Sequence, residues 1–266
     1  MASTKSTMTP DFEVKLLLNP STVLDPVTHD IVPAILSNFS IADGSAPTLM
    51  NIAFLDTPSK EIYAAGWSPR IRRNGDKPKN FQLTYKKRYP IPDGSHDFDA
   101  TLLLARDAGF DASESDYEAQ VEWGYQKLTL SISRSKKEKA TGFDGIELPD
   151  LETATKMAID KAPGKFTNWG GVDGWGADAL ARSRIFGPVL AKRWTGTWDG
   201  DDLDIEVWPI KTADGAGIEY IAEASFKVER ADDADRKHKA LMEVMKGKGW
   251  FLEGDSLKTA LIMDRY

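Results

Sequence analysis

The segment Asp11-Phe12-Glu13-Val14-Lys15 places a charged side chain at every second position. In a β-strand this period of two sends Asp11, Glu13 and Lys15 to one face and Phe12 and Val14 to the other. Two carboxylates offer hard oxygen ligands to Mg²⁺, and the ammonium suits a phosphate bridged by that ion. The face therefore has the makings of a metal-phosphate site. The wet side of an ordinary antiparallel sheet shows the same alternation, and for one short stretch it is the commoner explanation.

The pattern recurs along the chain and carries both signs of charge. Arg70 and Arg72 share a face, as do Gln82, Thr84 and Lys86, then Gln120 and Glu122, then Asp202, Asp204 and Glu206, then Glu219, Glu223, Ser225 and Lys227. Turned inward, these faces would line a charged tunnel, whose buried charges must be paired or coordinated. Turned outward, they would leave Phe12, Val14, Leu83, Tyr85, Val121 and Trp123 to form a conventional core. Periodicity alone does not choose between the two.

Composition narrows the function classes. A chain of 266 residues, 41% hydrophobic, can bury a sizeable core. Without cysteine it has no disulfide, thiolate metal site or Cys nucleophile. His29, His96 and His238 stand among charged or turn-like neighbours, form no paired metal motif, and read as surface residues. The net charge of −7 disfavours nucleic acid and anionic membranes as partners. Even so, Arg70, Arg72, Arg73, Lys77, Lys79, Lys86, Lys87 and Arg88 are bunched, which suits a small polyanion. No apolar run is long enough to span a bilayer, and residues 1–10 lack the apolar stretch of a signal peptide. The expectation is a cytoplasmic protein without stable membrane insertion, with a flexible tail over 1–10 and a single domain over 11–266.

The elements that would position these residues follow from periodicity and turn signals. Strands are expected at 11–18, 48–55, 68–73, 81–87, in two pieces of 117–134 broken at Gly124, and at 191–198, 203–210 and 219–230. Helices are expected over 25–39, 97–108, 151–162, 177–186 and 234–246. The economical fold is α+β, an antiparallel β-barrel of about eight strands with peripheral helices.

Two acidic motifs invite other chemistry and are set aside. Asp199-Gly200-Asp201-Asp202 matches the D-x-D-D of a general acid, but its composition is that of a hairpin turn. Asp232-Asp233-Ala234-Asp235-Arg236 fails a D-D-x-x-D metal motif at Arg236 and reads as a cap for the following helix.

Four motifs in order carry a family resemblance. They are the opening strand with Glu13 and Lys15, Phe54-Leu55-Asp56-Thr57-Pro58, Arg70-Ile71-Arg72, and Leu83-Thr84-Tyr85-Lys86. Together they resemble the E-x-E-x-K, F-D-T-P, R-I-R and L-T-x-K signatures of the CYTH, or triphosphate tunnel metalloenzyme, superfamily, with Asp11 in place of the first Glu. The match is densest in the first third of the chain. Further on, Gln120-Val121-Glu122 and Glu223-Ala224-Ser225 occupy the places of two E-x-E pairs, each with one carboxylate.

The resemblance implies a tunnel with Mg²⁺ held by Asp11, Glu13 and Glu223. Arg70, Arg72 and Lys86 would act on the phosphate, and Lys15, Arg134, Arg193 and Lys227 would help to bind it. Within the superfamily the chain looks similar to fungal CYTH-like sesquiterpene cyclases of the brasilane type. These ionise an isoprenoid diphosphate, here farnesyl diphosphate, and cyclise it to a sesquiterpene or its alcohol. Such chemistry needs aromatic faces around a carbocation, a role for Trp67 and Trp123, with Trp194, Trp198 and Trp208 nearby on the tunnel strands. The alternatives are a triphosphate tunnel hydrolase and a non-catalytic polyphosphate-binding module.

Overall fold

The computed structural model describes residues 6–92, 98–255 and 257–266. Its centre is a closed barrel of nine strands: β1 (Asp11–Leu18), β2 (Thr48–Asp56), β3 (Trp67–Asn74), β4 (Asn80–Pro90), β5 (Glu118–Trp123), β6 (Leu128–Lys139), β7 (Arg184–Trp198), β8 (Asp201–Lys211) and β9 (Ile218–Val228). Around the barrel the order is β1-β5-β6-β4-β3-β2-β7-β8-β9. The α+β barrel is as expected, with nine strands rather than about eight. It is also not wholly antiparallel, because β1 and β5 run parallel.

Alternation settles which face is which. Phe12, Val14 and Leu16 of β1, Leu83 and Tyr85 of β4, and Val121 and Trp123 of β5 are buried on the outside of the barrel, in one large apolar cluster. The polar faces point inward. The helices α4 (Asp99–Asp107), α5 (Leu151–Asp160), α6 (Gly164–Thr167), α7 (Trp175–Ala181) and α8 (Ala231–Gly247) supply the other side of that cluster. In α8 the buried stripe is Ala234, His238, Leu241 and Met245, the spacing of one helix face. Burial of this outer apolar layer is what holds a barrel whose inside is largely polar.

Several segments depart from expectation. The stretch 25–39 is not one helix: α1 (Pro20–Val23) precedes it, and α2 (Pro33–Asn38) begins only after a turn closed by the Leu24–Ile31 bridge. The Asp25 carboxylate accepts from the Val27 and Thr28 amides, which favours the turn over a continuing helix. Residues 184–186 belong to β7, not to a helix. His238 is buried against Trp123 rather than on the surface, His29 is partly buried and stacks on Tyr220, and His96 lies outside the described residues. Of residues 1–10, Thr7 bridges Asp111.

The Asp199-Gly200 pair is a hairpin turn, both residues having positive φ, and Lys237 of α8 binds the carboxylates of Asp199 and Asp201. Asp232 and Asp233 do not cap α8. They occupy its first turn, where they complement the helix dipole. Among the described residues no helix is long and apolar enough to cross a membrane.

Candidate functional site

The inward faces enclose a cavity of about 340 Å³ lined by eight lysines and arginines and six carboxylates. It shares Lys15, Glu122 and Glu223 with a cavity of about 260 Å³ at one end, and Arg72, Gln82 and Arg193 with one of about 370 Å³ at the other. The three form one tunnel along the barrel. Its lining is net positive in a chain whose total charge is −7.

Register places the cations. Arg70 pairs with Thr84, Arg72 with Gln82, and Ser68 with Lys86 across β3 and β4, so all of these side chains share the inner face. Arg70 donates to the Thr84 hydroxyl at 3.5 Å and Arg72 to the Gln82 amide oxygen at 2.5 Å. Neither reaches a carboxylate. The Nε atoms of Arg70, Arg72 and Arg88 are buried with no hydrogen-bond partner. Burial and the neighbouring Arg72 and Arg88 push the Arg70 guanidinium down to about 9. Arg88 has Glu122 within 3.8 Å, whereas Arg70 and Arg72 have no carboxylate partner among the described residues. A half-buried cluster of guanidiniums with spare donors and so little counter-charge is an anion site.

Four of the six carboxylates form two pairs, Glu118 and Asp204 standing outside them. Glu13 and Glu122 stand in register on β1 and β5, and the Lys15 ammonium reaches them at 2.9 and 3.2 Å. Glu122 also accepts from Lys86 at 2.7 Å, and these cations hold it well below the usual carboxylate range despite its burial. Burial pushes Lys86 down to about 8, against the pull of Glu122. Glu206 and Glu223 form the second pair, in register on β8 and β9. Lys258 of α9 (Lys258–Arg265) bridges them at 2.5 and 2.8 Å. Glu206 further accepts from Arg193 and from the Trp208 indole.

Part of the barrel's inner face is apolar; Phe54 and Trp208 of it line the central cavity and Met50 an adjoining one. Met50, Ile52 and Phe54 of β2 stand in register with Asn74, Arg72 and Arg70, so they face inward. They cluster with Phe186, Val189, Trp208 and Ile210, and with Ile262 and Met263 of α9. The helix α9 thus covers one end of the barrel, fixed also by Lys60 on Asp264 and Arg265 on Glu219.

Of the residues singled out in the sequence, Glu13, Lys15, Arg70, Arg72, Lys86, Arg193, Glu223 and Lys227 line the tunnel. Asp11 has the same parity as Glu13 but is exposed at the start of β1, outside the lining. Arg134 faces outward, on the parity of Leu130 and Ile132, where it pairs with Asp116 and lies over Tyr117. Trp67 and Trp123 are also on outer faces. Trp67 is fully buried among Phe110, Phe166 and Trp169, and Trp123 packs on His238. Trp194 and Trp198 belong to the outer cluster too, which leaves Trp208 as the tryptophan on the tunnel wall. Arg88, Glu122, Glu206 and Lys258 join the site without having been assigned a role. Alternation does place Glu122 and Glu206 on the polar faces, but no local pattern points to Lys258.

The expected Mg²⁺ ligands Asp11, Glu13 and Glu223 do not converge, and among the described residues no three acidic or histidine groups gather as a cage. Two carboxylates completed by substrate phosphates are a usual Mg²⁺ arrangement, however. Glu13 and Glu122 fit it, because they stand in register and Glu122 Oε2 is buried without a hydrogen bond, but a metal there would have to displace the Lys15 ammonium that lies 3.2 Å from that oxygen.

The Asp56 of the Phe-Leu-Asp-Thr-Pro turn has a structural task. Its carboxylate accepts from the amides of Thr57, Ile62 and Tyr63, fixing the turn and α3 (Glu61–Ala64) just before β3.

No protein-family model matches the chain, and no curated protein does. Solved structures do match over nearly its whole length. HpAC1 from Hippeastrum, a protein assigned as an adenylyl cyclase and described with a dominant triphosphatase activity, aligns at 18% identity and a TM-score of 0.52, covering 94% of this chain and 93% of that one. A Bacillus halodurans protein assigned as an adenylate cyclase aligns at 15% identity and TM-score 0.49, covering 97% of each. One from Vibrio parahaemolyticus, likewise assigned, gives 12% and 0.43, covering 95% of this chain and 98% of that one. At such identity the likeness is one of fold, and the HpAC1 match supports the tunnel fold implied by the CYTH resemblance.

Proposed function

We propose that the chain is an enzyme that takes up its substrate by an oligophosphate group, and that hydrolysis of a triphosphate is the reaction the geometry supports best. The observation that carries this reading is the cluster of Arg70, Arg72 and Arg88, buried, without carboxylates on Arg70 and Arg72, and with free Nε donors facing the lumen. Phosphoryl transfer asks mainly for positioning and for stabilisation of charge on phosphate oxygens. Arg70 and Arg72 would grip one phosphate from β3, while Lys86 and Arg88 on β4 would hold the next. A divalent cation between Glu13 and Glu122 would neutralise charge on the bridged phosphate oxygens. Glu122 Oε2, in ion contact with Lys15 but without a hydrogen bond, could orient a water once that ammonium turns to the phosphate. The dominant triphosphatase activity described for HpAC1, which shares the fold, agrees with this reading.

A second reading is favoured by one observation, the apolar side chains Phe54, Trp208 and Met50 that line the cavities beside the basic cluster, backed by Ile52 and Phe186. A basic cluster beside apolar side chains suits a diphosphate carrying a hydrocarbon, as in ionisation and cyclisation of farnesyl diphosphate. There Trp208 and Phe54, not Trp67 and Trp123, would face the cation. Incubation of the purified protein with Mg²⁺ and, separately, tripolyphosphate and farnesyl diphosphate tests both. Orthophosphate from tripolyphosphate is the expected result. A volatile terpene from farnesyl diphosphate without orthophosphate release would replace the first reading by the second, and turnover of neither would leave a binding module.

A further inference from the structure

The two carboxylate pairs of the tunnel are not equivalent. In the Glu13–Glu122 pair the Lys15 ammonium, on β1 itself, lies 2.9 Å from Glu13 and 3.2 Å from Glu122 Oε2, but that oxygen makes no hydrogen bond, so the bridge is a looser ion contact. In the Glu206–Glu223 pair, Glu206 is fully engaged: Oε1 accepts from Arg193, and Oε2 accepts from Trp208 at 2.8 Å and from Lys258 at 2.5 Å. The bridging lysine comes from a separate element. Its position is fixed by the seating of α9, and its ammonium also lies 4.8 Å from the centre of the Trp208 ring.

Two buried carboxylates in register on neighbouring strands repel each other unless a cation lies between them. A divalent ion could serve, but here an ammonium already does, with both distances inside charge-assisted hydrogen-bond range. We infer that Lys258 is a specificity-determining residue, a built-in monovalent counterion that keeps a divalent cation out of the Glu206–Glu223 pair and so restricts the tunnel to the Glu13–Glu122 position. A divalent ion confined to the Glu13–Glu122 position would sit beside Lys86 and Arg88, both of which contact Glu122. This inference rests on the oligophosphate reading for its purpose, but not for its test.

The test counts Mn²⁺ ions bound by the full chain, by electron paramagnetic resonance, with and without tripolyphosphate. Lys258→Met should bind one more Mn²⁺ than wild type, and Lys258→Met combined with Glu223→Gln should lose the gain. Lys258→Arg, which keeps the charge, should match wild type. If Lys258→Met does not fold, Glu223→Gln in the wild-type background still decides, since it should leave the Mn²⁺ count unchanged. Equal counts in wild type and Lys258→Met, or loss of a Mn²⁺ from Glu223→Gln alone, would overturn the inference. Failure of tripolyphosphate to bind, seen separately by calorimetry, would instead overturn the oligophosphate reading.

Discussion

Glu13 and Glu122 face each other on the parallel strands β1 and β5, and the single ammonium of Lys15 reaches both. Antiparallel pairing joins the other neighbouring strands, so this is the one parallel contact in the described barrel. The sequence motif presents Glu13 with Asp11, yet closure of the barrel gives it Glu122 as a partner instead.

Glu122→Gln removes a hard oxygen ligand and a shared counterion of Lys15, Lys86 and Arg88. The variant should lose about 2 kcal/mol of stability, as three cations lose a charged acceptor. Its kcat for tripolyphosphate should fall by about 10²-fold, while metal-free affinity for the anion is not weakened, because the tunnel becomes more positive. Thermal melts and calorimetry in a chelator check both halves.

Arg70→Ala and Arg72→Ala should each weaken tripolyphosphate binding by about 10- to 100-fold, the worth of one charge-assisted contact. Arg134→Ala, on the outer face beside Asp116, should leave binding unchanged. A loss with Arg134→Ala equal to that with Arg72→Ala would mean that the anion binds outside the barrel.

Lys86 gives the site a pH dependence. Burial lowers it to about 8, in a setting where Arg88 and Lys15 oppose its charge and Glu122 and Glu13 favour it. Below that pH the ammonium is present and assists the anion. Above it the charge is lost, so affinity should fall as pH rises through about 8. The unfolded chain keeps its lysine protonated to higher pH, so this group alone makes the fold more stable as pH rises from about 8 toward the ordinary lysine value of 10.5. Lys86→Met should flatten the affinity profile between pH 7 and 9, and an unchanged profile would contradict the assignment.

Strand parity was the most legible part of the molecule. It put Glu13, Lys15, Arg70, Arg72 and Lys86 on common faces, and the family resemblance turned those faces inward. The same parity excludes Trp67, which alternates with Ser68 and Arg70, and Trp123, which alternates with Glu122. Their assignment to the lumen came from a chemical need for aromatics and went against the alternation. Arg134 likewise shares the parity of Ile132, not that of Ser133 and Ser135. Lys258 had no readable signal, because its partners lie 35 and 52 residues away and are reached only through the seating of α9. The apolar part of the inner face was hidden as well: β2 is apolar on both faces, so its alternation carries no contrast.

The two tryptophans separate stability from chemistry. Trp67→Leu should cost about 2–4 kcal/mol by opening a void among Phe110, Phe166 and Trp169, with kcat per folded molecule unchanged. Trp208→Leu should leave tripolyphosphate cleavage largely intact. If farnesyl diphosphate is the substrate, it should instead redistribute the products, since cation–π stabilisation of about 0.5–2 kcal/mol can reorder competing pathways. Gas chromatography of the products and thermal melts distinguish these outcomes.

If the basic cluster on β3 and β4 receives an oligophosphate inside the barrel, a crystal structure of the chain with tripolyphosphate should show it. Phosphate oxygens are expected within hydrogen-bond distance of Arg70, Arg72 and Arg88, engaging the Nε atoms that now lack hydrogen bonds. Tripolyphosphate bound on the outer surface, with the Nε atoms of Arg70, Arg72 and Arg88 still without hydrogen bonds, would contradict that placement.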